Sequence, residues 1–288
     1  MTSVSQKGSL EIVGVGIQAG QQTTIEAIES IKSADIVLSL LSSDIISEFW
    51  LRELNKKVED LRSYYEDGKP RAYAYMAMAE RTMEYVRKGL AVTVVSYGHP
   101  GVFCFPAHEA IRMAKSEGYQ ARMQPAVSAE DCLFADLGID PGSGGCQSFE
   151  CTNFLLHKKR FDPTSSLILW QIGIIADITY PQSTYKKEGY NKKGLSVLRD
   201  YLQEYYPKNH PVIVYQASSY PIAEPLIQKV PLEKLTDTSV NFISTLYIPP
   251  LGRGTIDQDM LHKLGMDDFS EMKEEVKTYI INKFQSQK

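Results

Sequence analysis

The chain has 288 residues, with 31 Lys plus Arg against 35 Asp plus Glu, which gives a formal net charge of −4. This length can bury the core of one large α/β domain or of two modest ones, and a slightly acidic chain without long charge runs disfavours a nucleic-acid partner. The N-terminus lacks the apolar core of a signal peptide and the most apolar stretch, residues 36–46, is too short to cross a bilayer, so we expect a soluble, cytoplasmic protein with no membrane partner.

The first half of the chain alternates between strand and helix patterns. Predicted strands cover residues 10–16, 34–41, 57–61, 91–98 and 120–127. Predicted helices cover residues 23–32, 43–54 (opened by a Ser or Asp cap), 76–89, 106–118 and 128–138. The tyrosine-rich stretch YYEDGKPRAYAY, residues 64–75, is predicted to be a loop. This alternation is typical of a mostly parallel α/β sheet.

The pattern changes after residues 138–147, GIDPGSGGCQ, which hold four Gly, one Pro and one Asp. We therefore predict an N-terminal α/β domain over residues 1–137 and a sheet-rich C-terminal α/β domain over 138–250. The second domain has predicted strands at 165–174, 210–218 and 241–248 and one predicted helix at 194–206. Residues 251–288 are predicted as a helical tail. Its apolar face packs either on the protein's own body or on a partner chain, and is formed by Phe269, Met272, Val276, Tyr279, Ile280 and Phe284.

The four cysteines, at 104, 132, 146 and 151, form no CxxC pair and share no metal-ligand spacing with the dispersed histidines. We expect them to be reduced and to act as small hydrophobes, and we expect no metal. Tyrosine is the unusual residue, with 17 copies against 10 Phe and 2 Trp. Because its flat apolar ring carries a weakly acidic hydroxyl, the places where tyrosine clusters matter more than the count.

Gly14-x-Gly16, directly after the first predicted strand, raises the possibility of a dinucleotide site. The next glycine is Gly20, and the acidic residue expected at the end of the second strand is missing, since Asp35 precedes that strand. We favour a tight turn that lets a ligand or another backbone come close. No P-loop, HExxH or GxSxG motif occurs in the sequence.

Residues 96–101, SYGHPG, lie at the carboxyl end of the predicted strand at 91–98. This is the sheet edge where open α/β sheets bind ligands. Two interpretations remain open on these residues alone. In the first, Tyr97 and His99 face a ligand. In the second, Gly and Pro shape the turn, Tyr97 packs below it and His99 lies in solvent.

Four stretches together resemble the tetrapyrrole-methylase superfamily of S-adenosylmethionine (SAM) dependent class III methyltransferases: LEIVGVG, SYGHPGVF, PAVSAEDCLFADLG and STLYIPP. In that superfamily the loop at SYGHPG usually reads Gly-Asp-Pro-Gly, so His99 is a departure. This departure, with YYEDGKPRAYAY and LYIPP, resembles the borosin α-N-methyltransferases, which methylate backbone amides of a ribosomal peptide. The resemblance covers roughly residues 8–250 and implies a two-domain tetrapyrrole-methylase-like α/β fold.

The resemblance also implies a SAM pocket between the two domains, with S-adenosyl-L-homocysteine as product. Small residues and backbone groups suit a flat adenine and a methionine tail, and Gly98 and Gly101 leave room for close approach. The positions that match the family's cofactor residues are Tyr97, His99, Val102, Phe103, Ser128, Ala129, Gln171, Tyr215, Ala217, Ser244 and Thr245.

Tyr65, Arg71 and Tyr75 match the family's catalytic positions. A peptide amide nitrogen is a poor nucleophile because its lone pair is delocalised into the carbonyl group. Its alkylation requires loss of the proton or stabilisation of the imidate oxygen. A permanently cationic Arg71 favours the ionised form of a neighbouring Tyr and stabilises developing negative charge. A Tyr beside it can act as a general base or as a hydrogen-bond donor to the carbonyl oxygen. Which Tyr has which role stays open, and Arg62 stands where the fungal enzymes have a further Tyr.

The fungal members carry their substrate as a fused C-terminal tail, whereas about 38 residues follow Pro250 here and end NKFQSQK, without an apolar segment to methylate. We therefore expect a split form that acts in trans on a separate precursor peptide. The family further implies a homodimer that binds two precursors, in a 2:2 assembly. The alternatives are a class III methyltransferase of a small acceptor, such as a tetrapyrrole or diphthine precursor, and a peptide-binding homologue that has lost catalysis.

Overall fold

Strands and helices alternate along residues 8–137 of the computed structural model. It describes residues 8–41, 45–180, 191–252, 254–266, 273–276 and 278–279. The strands here are β1 (Ser9–Gly14), β2 (Ile36–Leu40), β3 (Val58–Asp60), β4 (Ala91–Ser96) and β5 (Gln120–Met123). The helices are α1 (Ile25–Ser33), α2 (Ile45–Leu54), α3 (Arg71–Arg87), α4 (Phe105–Ser116) and α5 (Ala129–Leu137), and Leu61–Tyr64 form a short 3-10 helix.

The five strands form one sheet in the order β3-β2-β4-β1-β5, with every pair parallel. Ile12 of β1 lies opposite Val94 on one side and Met123 on the other. Because β1 and β4 are covered on both faces, their residues are apolar in near-continuous runs and almost all buried. The prediction of a parallel α/β sheet is confirmed. All carboxyl ends of these strands therefore point to the same edge.

Helix α3 begins five residues before the predicted start at position 76, so the tyrosine-rich stretch is only partly a loop. Ala74 lies four residues before Met78, and both are buried, which continues the apolar face of the helix towards its N-terminus. Pro70, with φ −58°, is the N-cap residue. The first two turns of α3 therefore carry Arg71 and Tyr75 at fixed helical spacing.

Strand β5 ends at Met123, four residues before the predicted end, because Pro125 has no N–H to continue the ladder. The predicted helix at Ser128 is confirmed. The Ser128 hydroxyl accepts from the N–H groups of Glu130 and Asp131 and donates to the Asp131 carboxylate at 2.7 Å, which forms a reciprocal cap. The predicted caps of α2, Ser43 and Asp44, lie outside the described residues.

A second sheet is formed by β6 (Cys146–Glu150), β7 (Ser166–Trp170), β8 (Pro211–Gln216), β9 (Leu226–Pro231) and β10 (Thr245–Ile248). Its order is β6-β7-β10-β8-β9. Strand β7 is parallel to β6, and β10 is antiparallel to β7 and β8. The accompanying helices are α6 (Cys151–Leu156), α7 (Lys192–Leu202) and α8 (Gln258–Lys263), with 3-10 helices at Ile172–Ile174 and Leu232–Asp237.

Strands β6 and β9 and helix α6 were not predicted from the sequence, whereas α8 lies within the predicted helical tail. The polar residues of β6 continue a Gly-rich stretch, and α6 has only six residues, capped by the Glu150 carboxylate on the N–H groups of Thr152 and Asn153. The predicted strand at 165–174 was too long, because Gln171 adopts φ +60° and ends β7. A left-handed residue interrupts the extended backbone that a ladder requires.

The chain divides into two units that are not contiguous in sequence. Among the described residues, the first unit contains 8–41, 45–137, 177–180 and 216–226, and the second contains 138–176, 191–215 and those from 227 onward. The predicted linear borders at 137/138 and 250/251 stay a prediction.

The tail positions Phe269, Met272, Ile280 and Phe284 lie outside the described residues, whereas Val276 and Tyr279 are exposed. No described helix combines the length and apolar character that a membrane span requires.

Candidate active site

In the first unit, the turn after β4 is fastened to the turn after β1. The Gly98 N–H donates to the Gly16 carbonyl at 2.9 Å, and both glycines have positive φ. A Cβ on Gly14 would lie 2.2 Å from the Gly98 carbonyl oxygen, so only glycine permits this approach. The sequence predicted a tight turn at Gly14-x-Gly16 that lets either a ligand or another backbone come close. The structure shows the close approach of another backbone, that of Gly98.

Gln22 occupies the amide groups that a dinucleotide phosphate would use. Its Oε1 atom accepts from the N–H groups of Ile17 and Gln18, at 2.8 and 3.1 Å. These donors lie just after the Gly14-x-Gly16 pair and are satisfied within the protein. The geometry agrees with the sequence argument against a Rossmann site.

The imidazole of His99 is half-buried and folded back into its own turn. Nδ1 accepts from the Gly101 N–H at 2.9 Å, and a neutral imidazole in this arrangement carries its proton on Nε2. A Cβ on Gly101 would lie 3.0 Å from His99 Cε1, so the glycine makes room for the ring. His99 is therefore not the freely solvated side chain of the second interpretation.

Val102 and Phe103 complete this turn with unusually exposed apolar side chains, 40% and 50% exposed. Phe103 also has φ +52°, a conformation that costs energy for a bulky residue and is often found at ligand sites. An exposed, strained aromatic residue at the carboxyl edge of a parallel sheet is typical of a surface that a ligand covers.

The loop after β8 joins the same region of the first unit. Gln18 Nε2 donates to the Ser218 carbonyl at 3.3 Å, and Ser219 lies close enough to Tyr97 to influence its pKa. Burial raises the pKa of Tyr97 above its usual value, partly offset by the interaction with Ser219. Ala217 therefore lies beside the Tyr97 turn. Seven predicted cofactor residues belong to this unit: Tyr97, His99, Val102, Phe103, Ser128, Ala129 and Ala217.

The other four predicted cofactor residues meet at one end of the second sheet. Tyr215, at the end of β8, lies opposite Thr245, the first residue of β10. The N–H of Ile172, next to Gln171, donates to the Ser244 carbonyl at 3.1 Å. Tyr215, Ser244 and Thr245 are buried. The structure thus brings together, within this unit, residues separated by more than 70 positions in the sequence.

Tyr65, Arg71 and Tyr75 form one cluster in the first unit, as predicted from the sequence stretch that contains them. The Tyr75 hydroxyl lies close enough to the Arg71 guanidinium and to the Tyr65 hydroxyl for both groups to influence its pKa. The Tyr65 and Tyr75 rings meet edge to face, with centroids 6.1 Å apart. Phe105, at the start of α4, packs against Tyr75 with centroids 6.0 Å apart.

The two tyrosines differ in acidity. Burial is the largest influence on both and raises the pKa of each above its usual value. For Tyr75 the Arg71 charge and the nearby Tyr65 hydroxyl act in the opposite direction and lower the pKa, whereas the interaction with Tyr75 raises the pKa of Tyr65 further. Arg71 therefore favours the Tyr75 phenolate, as expected, but burial outweighs it in the net shift. Tyr75 is the better candidate for a base.

Sequence reasoning missed two partners of this cluster. The Tyr180 ring stacks on Tyr65, with centroids 4.3 Å apart and an interplanar angle of 12°. The Asp177 carbonyl accepts from Arg71 Nη2 at 2.5 Å. Nothing in the local sequence relates residues 177–180 to residues 65–75. Arg62, which was left without a role, forms ion pairs with Asp60 and Glu48.

Comparison with known proteins places these features in a family. Residues 9–236 match the family of tetrapyrrole (corrin/porphyrin) methylases. The chain is 43% identical over 272 residues to a methyltransferase/ribosomally synthesized cyclic peptide gymnopeptides precursor of Gymnopus fusipes, covering 92% of this chain and 63% of that one. It is 41% identical over 270 residues to the corresponding omphalotin A precursor of Omphalotus olearius, covering 91% and 63%. A type I borosin cyclic peptide precursor of Coprinopsis marcescibilis is 35% identical, covering 93% and 69%.

Solved structures show the same fold. The uroporphyrin-III-C-methyltransferase of Thermus thermophilus matches 91% of this chain and 99% of its own, with a TM-score of 0.59 and 16% identity. A diphthine synthase matches 88% of this chain and 95% of its own, with a TM-score of 0.55 and 15% identity. At this identity the likeness concerns the fold alone, and it confirms the predicted tetrapyrrole-methylase-like α/β architecture.

Proposed function

The chain belongs to the tetrapyrrole (corrin/porphyrin) methylase family, and from this premise we propose that it transfers methyl groups from SAM to backbone amide nitrogens of a ribosomally made peptide. The observation that carries the proposal is the buried cluster in which the Tyr75 hydroxyl lies beside the Arg71 guanidinium and the Tyr65 ring meets the Tyr75 ring edge to face. An acceptor that must lose a proton before it reacts needs such a group. A merely structural tyrosine pair needs no guanidinium beside its hydroxyl.

The chemistry assigns one role to each residue of the cluster. Tyr75 loses its proton to solvent and, as phenolate, takes the proton of the acceptor amide nitrogen. Arg71 stabilises the phenolate and then the negative charge that spreads onto the amide oxygen. Tyr65 donates to Tyr75 and fixes its direction. SAM supplies the methyl group and leaves as S-adenosyl-L-homocysteine.

The residues proposed to hold SAM fit its chemistry. In the first unit, the Tyr97–Phe103 turn offers exposed apolar side chains beside backbone groups, and among the described residues a Cβ built on Gly98 would meet only Ile17 Cδ1 within 4 Å, at 3.6 Å. In the second unit, the backbone of Ser244 bonds to the residue after the left-handed Gln171, and the Ser244 hydroxyl bonds with Asn241. Uncharged polar groups next to small residues suit an adenosine and an amino-acid tail.

The relatives support a peptide acceptor, since their names join a methyltransferase to a ribosomally synthesized cyclic peptide precursor. The chain spans about 63% of the length of the Gymnopus fusipes and Omphalotus olearius relatives. Delivery of the peptide in trans, a homodimer and a 2:2 assembly with the precursor are further parts of the proposal.

The test mixes the purified protein with SAM and, in separate reactions, the peptide encoded beside its gene and a uroporphyrinogen. We expect tandem mass spectrometry to place each added methyl on a backbone nitrogen of the peptide, which would also establish transfer in trans. Methylation of the tetrapyrrole alone would support the small-acceptor alternative. Absence of SAM binding by calorimetry would overturn the enzymatic proposal itself. Sedimentation of the mixture tests the 2:2 assembly.

A further inference from the structure

Residues 177–180, here called the strap, run antiparallel to residues 68–71 in the first unit. Gly68 N–H donates to the Tyr180 carbonyl and Tyr180 N–H donates to the Lys69 carbonyl, both at 2.9 Å, and Pro70 and Thr179 form a bridge. We propose that the strap is a positioning element for the catalytic pair Tyr65 and Arg71, with Tyr180 and Asp177 as its positioning residues. This inference rests on the proposed function.

The strap holds Arg71 from two directions. The Arg71 N–H donates to the Ile178 carbonyl at 2.9 Å, which fixes the start of α3. The guanidinium Nη2 donates to the Asp177 carbonyl at 2.5 Å, which orients the far end of the side chain. An arginine held at both ends has lost most of its rotamer freedom before substrate arrives, so its charge stays directed at Tyr75.

The same strap holds Tyr65 by ring contact. Tyr180 stacks almost parallel on one face of Tyr65, and Tyr75 meets the Tyr65 ring edge to face. Tyr65 follows a 3-10 helix and is not itself part of a helix or strand. Stacking with Tyr180 therefore restricts a ring whose backbone lies in a loop, and it keeps the Tyr65 hydroxyl within reach of Tyr75.

The Asp177 side chain gives the strap its shape. Its Oδ1 atom accepts from the N–H and the hydroxyl of Thr179, both at 2.8 Å. This turn directs the Asp177 carbonyl towards Arg71 while the chain continues to Tyr180. The strap therefore uses the Oδ1 atom of Asp177 as a hydrogen-bond acceptor that sets its local geometry.

Tyr180→Ala and Tyr180→Phe test the stacking. We expect the alanine variant to lower kcat about tenfold with little change in the KM for SAM, since it removes an aromatic pair and no hydrogen bond of the reaction. The phenylalanine variant, which keeps the ring, should recover kcat to within about twofold. Equal losses in the two variants, or unchanged kcat in the alanine variant, would overturn the assignment.

Asp177→Ala and Asp177→Asn test the turn. The asparagine variant retains an acceptor at Oδ1 and should recover activity, whereas the alanine variant should lower kcat about fivefold and shift the alkaline limb of the pH profile, because Arg71 is less firmly held beside Tyr75. A loss in the asparagine variant as large as in the alanine variant would show that the charge matters, which contradicts the proposed role.

Action through Tyr65 is tested by combining substitutions. In a Tyr65→Phe background the hydroxyl is already absent, so Tyr180→Ala should cost less than in the wild type. Fully additive losses would overturn a role exerted through Tyr65. Wild-type protein without peptide methylation would contradict the proposed function instead, whereas active wild type with an unaffected Tyr180→Ala variant would contradict the strap alone.

Discussion

Two aromatic clusters, one in each unit, contain similar side chains but differ in their chemistry. In the first unit, the Tyr65 and Tyr75 rings meet edge to face, and the Arg71 charge acts on the Tyr75 hydroxyl. In the second unit, Phe154, Phe161 and Tyr206 pack in the core with Tyr201, and the buried Tyr206 hydroxyl has no hydrogen-bond partner among the described residues. Burial raises the pKa of Tyr206 as it does that of Tyr75, but no cation offsets it.

The difference shows that a tyrosine-rich composition does not by itself locate a site. The second-unit tyrosines serve as large apolar residues, held by ring contacts with Phe161 and His210. In the first unit, Tyr75 lies in the second turn of α3 and Tyr65 follows the 3-10 helix, and their rings meet near the Arg71 guanidinium. A cation within hydrogen-bond reach of a buried hydroxyl is therefore what separates the catalytic candidate from the core cluster.

The largest expected effect comes from removing that cation. Arg71→Ala should lower the rate of peptide methylation by about a hundred- to a thousandfold, since loss of one group that stabilises developing negative charge typically costs about 3–4 kcal/mol. SAM affinity, measured by calorimetry, should change little. The rate is measured by mass spectrometry under single-turnover conditions.

Arg112→Ala is the matched control for this substitution. Arg112 lies on α4, fully exposed, and pairs only with Glu109 on the same helix among the described residues. It should retain the wild-type rate. An Arg71→Ala variant as active as this control would remove the distinction between the two clusters.

A smaller effect is expected when the hydroxyl of Tyr75 is removed. Tyr75→Phe should lower the rate about a hundredfold near pH 7, the size typical of a lost general base. Because the pKa of Tyr75 lies above its usual value, the phenolate fraction of the wild type grows as the pH rises, and its rate should rise from pH 7 towards pH 10. The variant should show a flatter pH–rate profile.

Tyr201→Phe provides the comparison from the second cluster. It removes a hydroxyl from a ring that packs against Tyr205, a residue of the same cluster, and it should leave both the rate and the pH profile unchanged. If both variants kept the steep profile, the titrating group would be neither tyrosine, and Tyr75 would lose its assigned role.

Much of the fold of the first unit could be predicted from the sequence, because it depends on local patterns. Buried runs bounded by turn residues located β1, β2 and β4, and the Ser128 cap located α5. The grouping of Tyr65, Arg71 and Tyr75 was also accessible, since all three lie within eleven residues and two of them share a helix face.

The strap was not predictable, because its contacts join positions about a hundred residues apart. Arg71 and Asp177 are separated by 106 positions, and the contact to Asp177 uses a backbone carbonyl, which any residue type supplies. The direction of the net shift in the pKa of Tyr75 could not be predicted from the sequence either, because it depends on burial that only the packed structure defines. Helix α3 began earlier than predicted for the same reason, because burial of Ala74 is decided by tertiary packing.

The smallest expected effect is a change in the free energy of unfolding, and its sign differs between the two aromatic clusters. Tyr206→Phe removes a buried hydroxyl without a partner among the described residues, so it should raise the free energy of unfolding by about 1 kcal/mol. Tyr75→Phe removes a buried hydroxyl that lies beside the Arg71 guanidinium and the Tyr65 hydroxyl, and loss of these polar contacts should lower the free energy of unfolding by a similar amount.

The stabilisation by Tyr206→Phe should also grow in alkali. The raised pKa of Tyr206 means that the unfolded chain loses this proton first, so the wild type loses stability as the pH rises above the ordinary tyrosine value of about 10. The variant has no such proton to lose. Urea denaturation at about pH 7 and about pH 10.5 measures both effects. A destabilised Tyr206→Phe variant would show that this hydroxyl is satisfied in solution and that the two clusters are more alike than their hydrogen bonds indicate.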